Sequence, residues 1–206
     1  MKKILLFVLV LFATNTILAH SGHDEKLSYI KNNGQWESHI QFKSKIGGGD
    51  AWLEKNRITF MFYDQQDLQD AHNAHHSGQT ITQTIDAHAY RMNFVNANPA
   101  MVSEGSENSK SYHNYFIGND PSKWAGNVPL FHKINYKKLY NGIDLVFHSH
   151  DGYMKYDYIV SPGADVSQIK WNYEGVQPVI KNGKIVITTN AGDVTEEKPV
   201  AWQMIK

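Results

Sequence analysis

The stretch IDLVFHSHDGYMKYDYIV, residues 143–160, decides the fold of this chain. Before its central Asp151-Gly152 pair, Ile143, Leu145 and Phe147 recur at every second position. After the pair, the same period continues in Met154, Tyr156, Tyr158 and Val160. A two-residue period places each set on one face of a strand, and Asp-Gly accepts the positive φ angles of a two-residue hairpin turn. The stretch therefore predicts two antiparallel strands with one buried face.

The same two-residue period predicts further strands along the chain. The clearest runs are Ile58–Phe62, Tyr90–Phe94, Ile169–Tyr173 and Ile185–Ile187. Helix is confined to 120–124, where proline follows an aspartate N-cap, and to a weak polar candidate at 65–76. Many short strands joined by turns predict an all-β fold, an antiparallel β-sandwich-like domain with one or two very short helices.

Residues 1–19 have the three parts of a secretory signal peptide. Met1-Lys2-Lys3 gives a basic start, Ile4–Phe12 is an unbroken apolar run, and Ala13–Ala19 leads to a small residue at the expected cleavage site. The run is too short to span a bilayer, which needs roughly 20 apolar residues. We therefore expect a signal-peptide helix, and an exported chain that resides in the periplasm, outside the cell or at the cell surface.

Residues 20–206 are predicted to form a single β-rich domain, and a truncated C-terminal end is left open. The sequence has no cysteine, so disulfides cannot hold its core. Its 20 acidic and 20 basic residues balance, which gives no electrostatic reason to expect nucleic acid as a partner. No second long apolar run follows the leader, so no membrane span is expected after signal cleavage.

Six segments together resemble the N-terminal domain of large secreted Bacteroidota proteins. They are Asn32–Trp36, Ala89–Phe94, Asn114–Trp124, Leu139–Phe147, Tyr156–Val160 with Pro162–Asp165, and Glu197–Gln203. Those proteins continue into seven-bladed β-propeller (SBBP) repeats and a C-terminal sorting domain of the gliding-motility type. The resemblance implies a β-rich module of the envelope or cell surface, and it implies no activity or catalytic residue. The repeats and sorting domain do not follow here, so a truncated reading frame and a stand-alone periplasmic form both stay open.

Three histidines, His72, His75 and His76, are the candidates for a metal site. On a helix, His72 and His76 would lie one turn apart on one face, as zinc ligands can. A zinc site also needs a third and fourth ligand in fixed geometry, and no spacing in the sequence specifies them. We therefore expect no bound metal or other cofactor, and a solvated polar segment at these residues.

Two tryptophans, Trp36 and Trp124, lie in loop-like sequence and are the candidates for ligand binding. Aromatic rings provide flat apolar surfaces on which sugar rings can stack. A carbohydrate-binding module would need at least two coplanar exposed rings. The sequence alone does not establish such a pair.

No catalytic pattern is present. The sequence lacks H-E-x-x-H and G-x-S-x-G, and Asp144 and Asp157 fall on the phase opposite the apolar residues of their strands.

We expect a non-catalytic structural or interaction module of the bacterial cell envelope. The alternatives are a carbohydrate-binding module and a metal-dependent hydrolase with a histidine cluster. Partners would be other envelope or surface proteins, which could pair with an open edge strand near Val200–Ile205.

Overall fold

The computed structural model describes residues 4–13, 26–78 and 84–204. These ranges contain fifteen strands, most of them joined by short turns. In chain order the strands are β1 (Ile4–Ala13), β2 (Tyr29–Lys31), β3 (Ile40–Ile46), β4 (Gly49–Glu54), β5 (Arg57–Tyr63), β6 (Ala87–Phe94), β7 (Val102–Tyr115), β8 (Ala125–Tyr140), β9 (Ile143–His150), β10 (Tyr153–Val160), β11 (Trp171–Glu174), β12 (Val179–Lys181), β13 (Lys184–Thr189), β14 (Gly192–Glu196) and β15 (Val200–Met204).

All of these strands belong to one sheet, and every described pairing is antiparallel. Their order across the sheet is β11-β6-β5-β4-β3-β2-β8-β9-β10-β1-β14-β13-β12, with β7 paired to β8 and β15 paired to β1. The predicted all-β, antiparallel class is confirmed. One sheet supplies both layers of the fold, because it curls back on itself.

The β9–β10 hairpin forms as the sequence predicts. Its strands pair without interruption from His150 opposite Tyr153 to Ile143 opposite Val160. Asp151 and Gly152 both have positive φ, at 51° and 77°, as the turn requires. Every second residue of β10 is buried, which gives this hairpin one core face.

The curl of the sheet brings its two halves together around a common core. Phe94 of β6 meets Tyr136 of β8 with ring centroids 6.3 Å apart. Tyr158 of β10 stacks on Trp171 of β11 at 6.4 Å. The Tyr136 hydroxyl crosses the core and donates a hydrogen bond to the Glu54 carbonyl oxygen at 2.5 Å. Aromatic side chains of distant strands therefore supply much of the core.

Helical structure is limited to one helix and two short turns within the described residues. Helix α1 (Gln65–His76) lies between β5 and β6, and the Asp64 side chain accepts two backbone N–H groups of its first turn. The 3-10 turns are Pro121–Lys123 and Val166–Gln168. Within the parts of the chain that the structure describes, no helix combines the length and the apolar character of a transmembrane helix.

The predicted leader differs from expectation, because residues 4–13 form the strand β1 and not a helix. β1 pairs with β10 along Leu5–Val10, with β15 along Ile4–Val8, and with β14 along Leu11–Ala13. A continuous apolar run of this length is compatible with either a strand or a helix, since it has no distinguishing period. Pairing along both edges favours the strand. The expected cleavage site after Ala19 lies outside the described residues.

We expect Leu145→Ala to lower the free energy of unfolding by about 2–5 kcal/mol, because the side chain is fully buried and its removal leaves a cavity. Ile180→Ala is the matched control, since Ile180 is 80% exposed and its truncation should change stability by less than about 0.5 kcal/mol. Urea denaturation followed by tryptophan fluorescence measures both. Equal losses in the two variants would contradict the core assigned to the β9–β10 hairpin.

Candidate functional site

The end of the β7–β8 hairpin carries a cluster of exposed apolar side chains. Phe116, Ile117 and Trp124 lie in the segment that joins the two strands, with 63%, 78% and 44% of their surfaces exposed. The rings of Phe116 and Trp124 meet edge to face, with centroids 6.1 Å apart and planes at 78°. We call these three residues the hairpin-tip patch. Large apolar side chains clustered in solvent are typical of a contact surface for another molecule.

Local hydrogen bonds hold the hairpin-tip patch in place. The Trp124 indole N–H donates to the Gly118 carbonyl oxygen at 3.2 Å, and Gly118 adopts a positive φ of 76° that glycine tolerates. Asp120 accepts hydrogen bonds from the Ser122 hydroxyl at 2.7 Å and from its backbone N–H at 3.0 Å. These two bonds, the hydroxyl one foremost, lower the pKa of Asp120. The patch is therefore displayed on an ordered turn.

Trp36 anchors the tip end of this hairpin to the sheet. Its ring meets Trp52 of β4 at 5.3 Å and Tyr115, the last residue of β7, at 5.5 Å. Tyr115 directly precedes Phe116, so the contact fixes the strand from which the patch begins. Trp36 and Trp124 thus belong to one region of the molecule, in which Trp36 is a half-buried anchor and Trp124 is exposed.

A buried carboxylate supports the anchor. Asp50 is only 4% exposed and receives Lys43 Nζ at 3.0 Å and the Tyr63 hydroxyl at 2.8 Å on its Oδ2. Lys43 Nζ also lies 4.3 Å from the centre of the Trp52 ring. Burial, and to a smaller extent Asp50, raises the pKa of Tyr63 to about 12. These contacts fasten the outer face of β3, β4 and β5 beneath Trp36.

The aromatic contacts of Trp36 and of Trp124 do not form a flat platform. Trp36 meets Trp52 at 83° and Tyr115 at 71°, and Trp124 meets Phe116 at 78°. Edge-to-face packing covers one ring with the edge of another, whereas stacking of successive sugar rings requires coplanar faces. Trp36 also lines a surface groove of about 420 Å³ with Asn32 and Ser103. The geometry at Trp36 and Trp124 favours an apolar contact surface over a sugar platform.

The candidate metal ligands lie on helix α1, in the segment that the sequence indicated only as a weak helix candidate. His72 and His76 have ring centroids 4.3 Å apart, and those of His75 and His76 are 5.8 Å apart. All three side chains are exposed. In residues 26–78 and 84–204, no group of three or more histidine, aspartate and glutamate side chains is arranged to hold a metal ion. The helix gathers the three histidines without adding a carboxylate to them.

The two hairpin aspartates take structural positions. Asp144 accepts a hydrogen bond from the Lys138 backbone N–H at 2.7 Å. Asp157 Oδ2 lies 3.0 Å from His148 Nε2, across the β9–β10 ladder. Both carboxylates are half-buried and face away from the apolar core, as their phase in the sequence indicates. Each carboxylate therefore has a hydrogen-bonding or ionic partner on a neighbouring strand.

Sequence reasoning missed a buried carboxyl group at Glu196, which is only 1% exposed. Its Oε2 accepts a hydrogen bond from the Tyr156 hydroxyl at 2.9 Å, and its Oε1 accepts one from the Tyr173 hydroxyl at 2.5 Å. The sequence pattern could have revealed it, because Glu196 lies two residues after the buried Val194 and therefore on the same face of the strand. The carboxyl group ties β14 to β10 and β11.

Burial raises the pKa of Glu196 above its ordinary value, and the hydrogen bonds from Tyr173 and Tyr156 partly oppose that rise. Burial, and then the charge of Glu196, also raises the pKa of Tyr156 and of Tyr90. The site therefore disfavours a negative charge. The carboxyl group of Glu196 therefore serves as a buried hydrogen-bond acceptor that links two tyrosines of the aromatic core.

Comparison with models of protein families identifies a match over most of the chain. The model of a family described as a domain of unknown function, DUF7948, matches residues 29–206. No curated protein and no solved structure matches the chain. The matched range includes the hairpin-tip patch, Trp36 and Glu196.

We expect Glu196→Gln to reduce the pH dependence of stability. The unfolded chain ionises Glu196 near its ordinary pKa of 4.5, while the folded chain keeps the proton to higher pH. The folded state then binds more protons, so the free energy of unfolding falls as the pH rises from 4.5 through the raised pKa. Urea denaturation over a series of pH values measures this slope.

The Gln variant removes that titration while it keeps the shape of the side chain. Glu174→Gln is the control, because Glu174 is exposed and pairs only with the exposed Arg91 in a surface ion pair. A fall in stability with rising pH that persists unchanged in Glu196→Gln would contradict the assignment.

Proposed function

The chain belongs to the family of the domain of unknown function DUF7948, and we propose that it is an exported, non-catalytic interaction module of the bacterial cell envelope. In this proposal the hairpin-tip patch binds another envelope or surface protein. The observation that carries it is the exposure of Phe116, Ile117 and Trp124 on an ordered turn.

The physical argument for a protein partner is the chemistry of the patch. Exposed apolar surface gains roughly 25 cal/mol for each Å² that a partner removes from water. Aromatic residues are enriched among those that contribute most to protein–protein binding. The Gly118 and Asp120 hydrogen bonds fix the turn in advance, so binding loses little conformational entropy there.

Export is supported by the basic and apolar composition of residues 1–19. Signal peptides are read before a chain folds, so the strand β1 and the export proposal are compatible. The six motif segments further support a place among secreted Bacteroidota proteins of the SBBP-repeat and gliding-motility type. The partner is then a protein of the same compartment.

We expect a photo-crosslinking amino acid at position 117 to capture a discrete envelope protein in the source bacterium. Position 180 is the matched control, because Ile117 and Ile180 are both isoleucines and are 78% and 80% exposed. Trp124→Ala should reduce the adduct at position 117 about tenfold, as loss of an aromatic contact residue does. Mass spectrometry of the purified adducts measures the yields. The same adducts from both positions, or none from position 117, would overturn the proposal.

We expect the protein recovered from the envelope fraction to begin after Ala19. N-terminal sequencing measures this directly, and Ala19→Gln is the variant that should block cleavage, because signal peptidase requires a small residue there. Recovery of uncleaved protein from the cytoplasm would contradict export.

A further inference from the structure

The strand β1 occupies a gap between two strands that do not pair with each other. Along one edge it pairs with β10, from Leu5 opposite Val160 to Val10 opposite Lys155. Along the other edge it pairs with β15 and, at its C-terminal end, with β14. The only pairing described for β15 is with β1. We call the gap bounded by β10, β14 and β15 the strand slot.

Removal of the leader empties the strand slot. Residues 4–13 all lie within the predicted signal peptide, so cleavage takes away the whole of β1. The facing edges of β10 and β15 then present unpaired N–H and C=O groups, and such edges readily template a new strand. β10 and β15 are both antiparallel to β1, so they run parallel to each other. They cannot join by the antiparallel ladder that the rest of the sheet uses.

We propose that the strand slot of the exported chain takes an extended apolar segment of another polypeptide, which runs in the direction of β1. The inference rests on the export proposed above. The bound segment completes the sheet and restores the ladders on β10 and β15. Strand addition of this kind derives affinity from main-chain hydrogen bonds and specificity from alternate side chains.

The walls of the strand slot define the chemistry of this segment. On β10, Tyr156, Tyr158 and Val160 are buried, whereas the residues between them are half-buried. A segment opposite β10 must therefore be apolar at every second position, so that it continues the core face. β1 is ten residues long, which sets the length that the slot accommodates.

A second copy of the exported chain does not supply such a segment. In a folded copy, each of the strands β2 to β14 pairs with at least one strand other than β1, so none of them has two free edges with which to fill the slot. The remaining strand, β15, is itself a wall of the slot.

Register-specific disulfide formation tests the strand slot, and the absence of native cysteine makes the reaction clean. The full chain receives a protease site between residues 19 and 20, is folded, and is then cut. Lys155→Cys is placed on β10. A synthetic ILLFVLVLFA peptide, flanked by lysines for solubility and with cysteine at the position of Val10 or of Leu6, is added in a glutathione redox buffer, whose oxidised form accepts the electrons when the disulfide forms. Val10 lies opposite Lys155, whereas Leu6 lies opposite Ile159.

The Val10 peptide should exchange with the bound leader and form the disulfide, because opposed residues lie within disulfide reach. The Leu6 peptide should form about tenfold less, since four residues along a strand displace its cysteine by about 13 Å. A version of the Val10 peptide with N-methyl groups at alternate residues should bind at least about tenfold more weakly, because it lacks donors for the ladder. Equal reaction of all three peptides, or of none, would overturn the strand slot.

The protein isolated from the envelope identifies the occupant. A photo-crosslinker at position 159 should yield an adduct with a second polypeptide, and the Val10 peptide should compete for that adduct. A dimer of this chain that excludes the peptide would overturn the assignment to another polypeptide. The peptide experiment uses the cut full chain, so its result is independent of export. If residues 1–19 are retained in cells, the export proposal fails. The peptide experiment on the cut chain still tests the strand slot in that case.

Discussion

The fold depends on one constraint, which is that a single antiparallel sheet has to cover its own apolar face. The two-residue period places the large apolar side chains of most strands on one face. No second sheet and no long helix among the described residues is available to cover that face, so the sheet curls until its halves meet. Tyr136 marks the meeting point, since its ring contacts Phe94 and Phe147 while its hydroxyl reaches Glu54.

A core rich in tyrosine raises a second requirement, because buried hydroxyl groups need hydrogen-bond partners. Glu196 meets part of it by accepting from Tyr156 and Tyr173. Tyr29 and Tyr140 donate to backbone carbonyl oxygens instead. The raised pKa of Glu196 is the electrostatic counterpart of this arrangement, since a buried carboxyl group is more stable when neutral.

The two proposed binding surfaces differ in physical type. The hairpin-tip patch is formed by side chains of a local turn, and its ligand would bind by apolar contact. The strand slot is formed by backbone edges of strands distant in sequence, and its ligand would bind by extending the sheet. The first surface is present whether or not the leader is attached, whereas the second depends on removal of the leader.

The sequence by itself determined the antiparallel strands, the Asp151-Gly152 hairpin turn and the outward phase of Asp144 and Asp157, and it indicated helix α1 only as a weak candidate at residues 65–76. These features depend on periodicity and on local turn and cap chemistry, which neighbouring residues fix. Only the tertiary structure decided which strands meet, that Trp36 anchors the hairpin carrying Trp124, that Glu196 is buried among tyrosines, and that residues 4–13 form a strand. Those outcomes depend on contacts between residues far apart in the chain, and a local pattern carries no information about which distant edge or ring will be its partner.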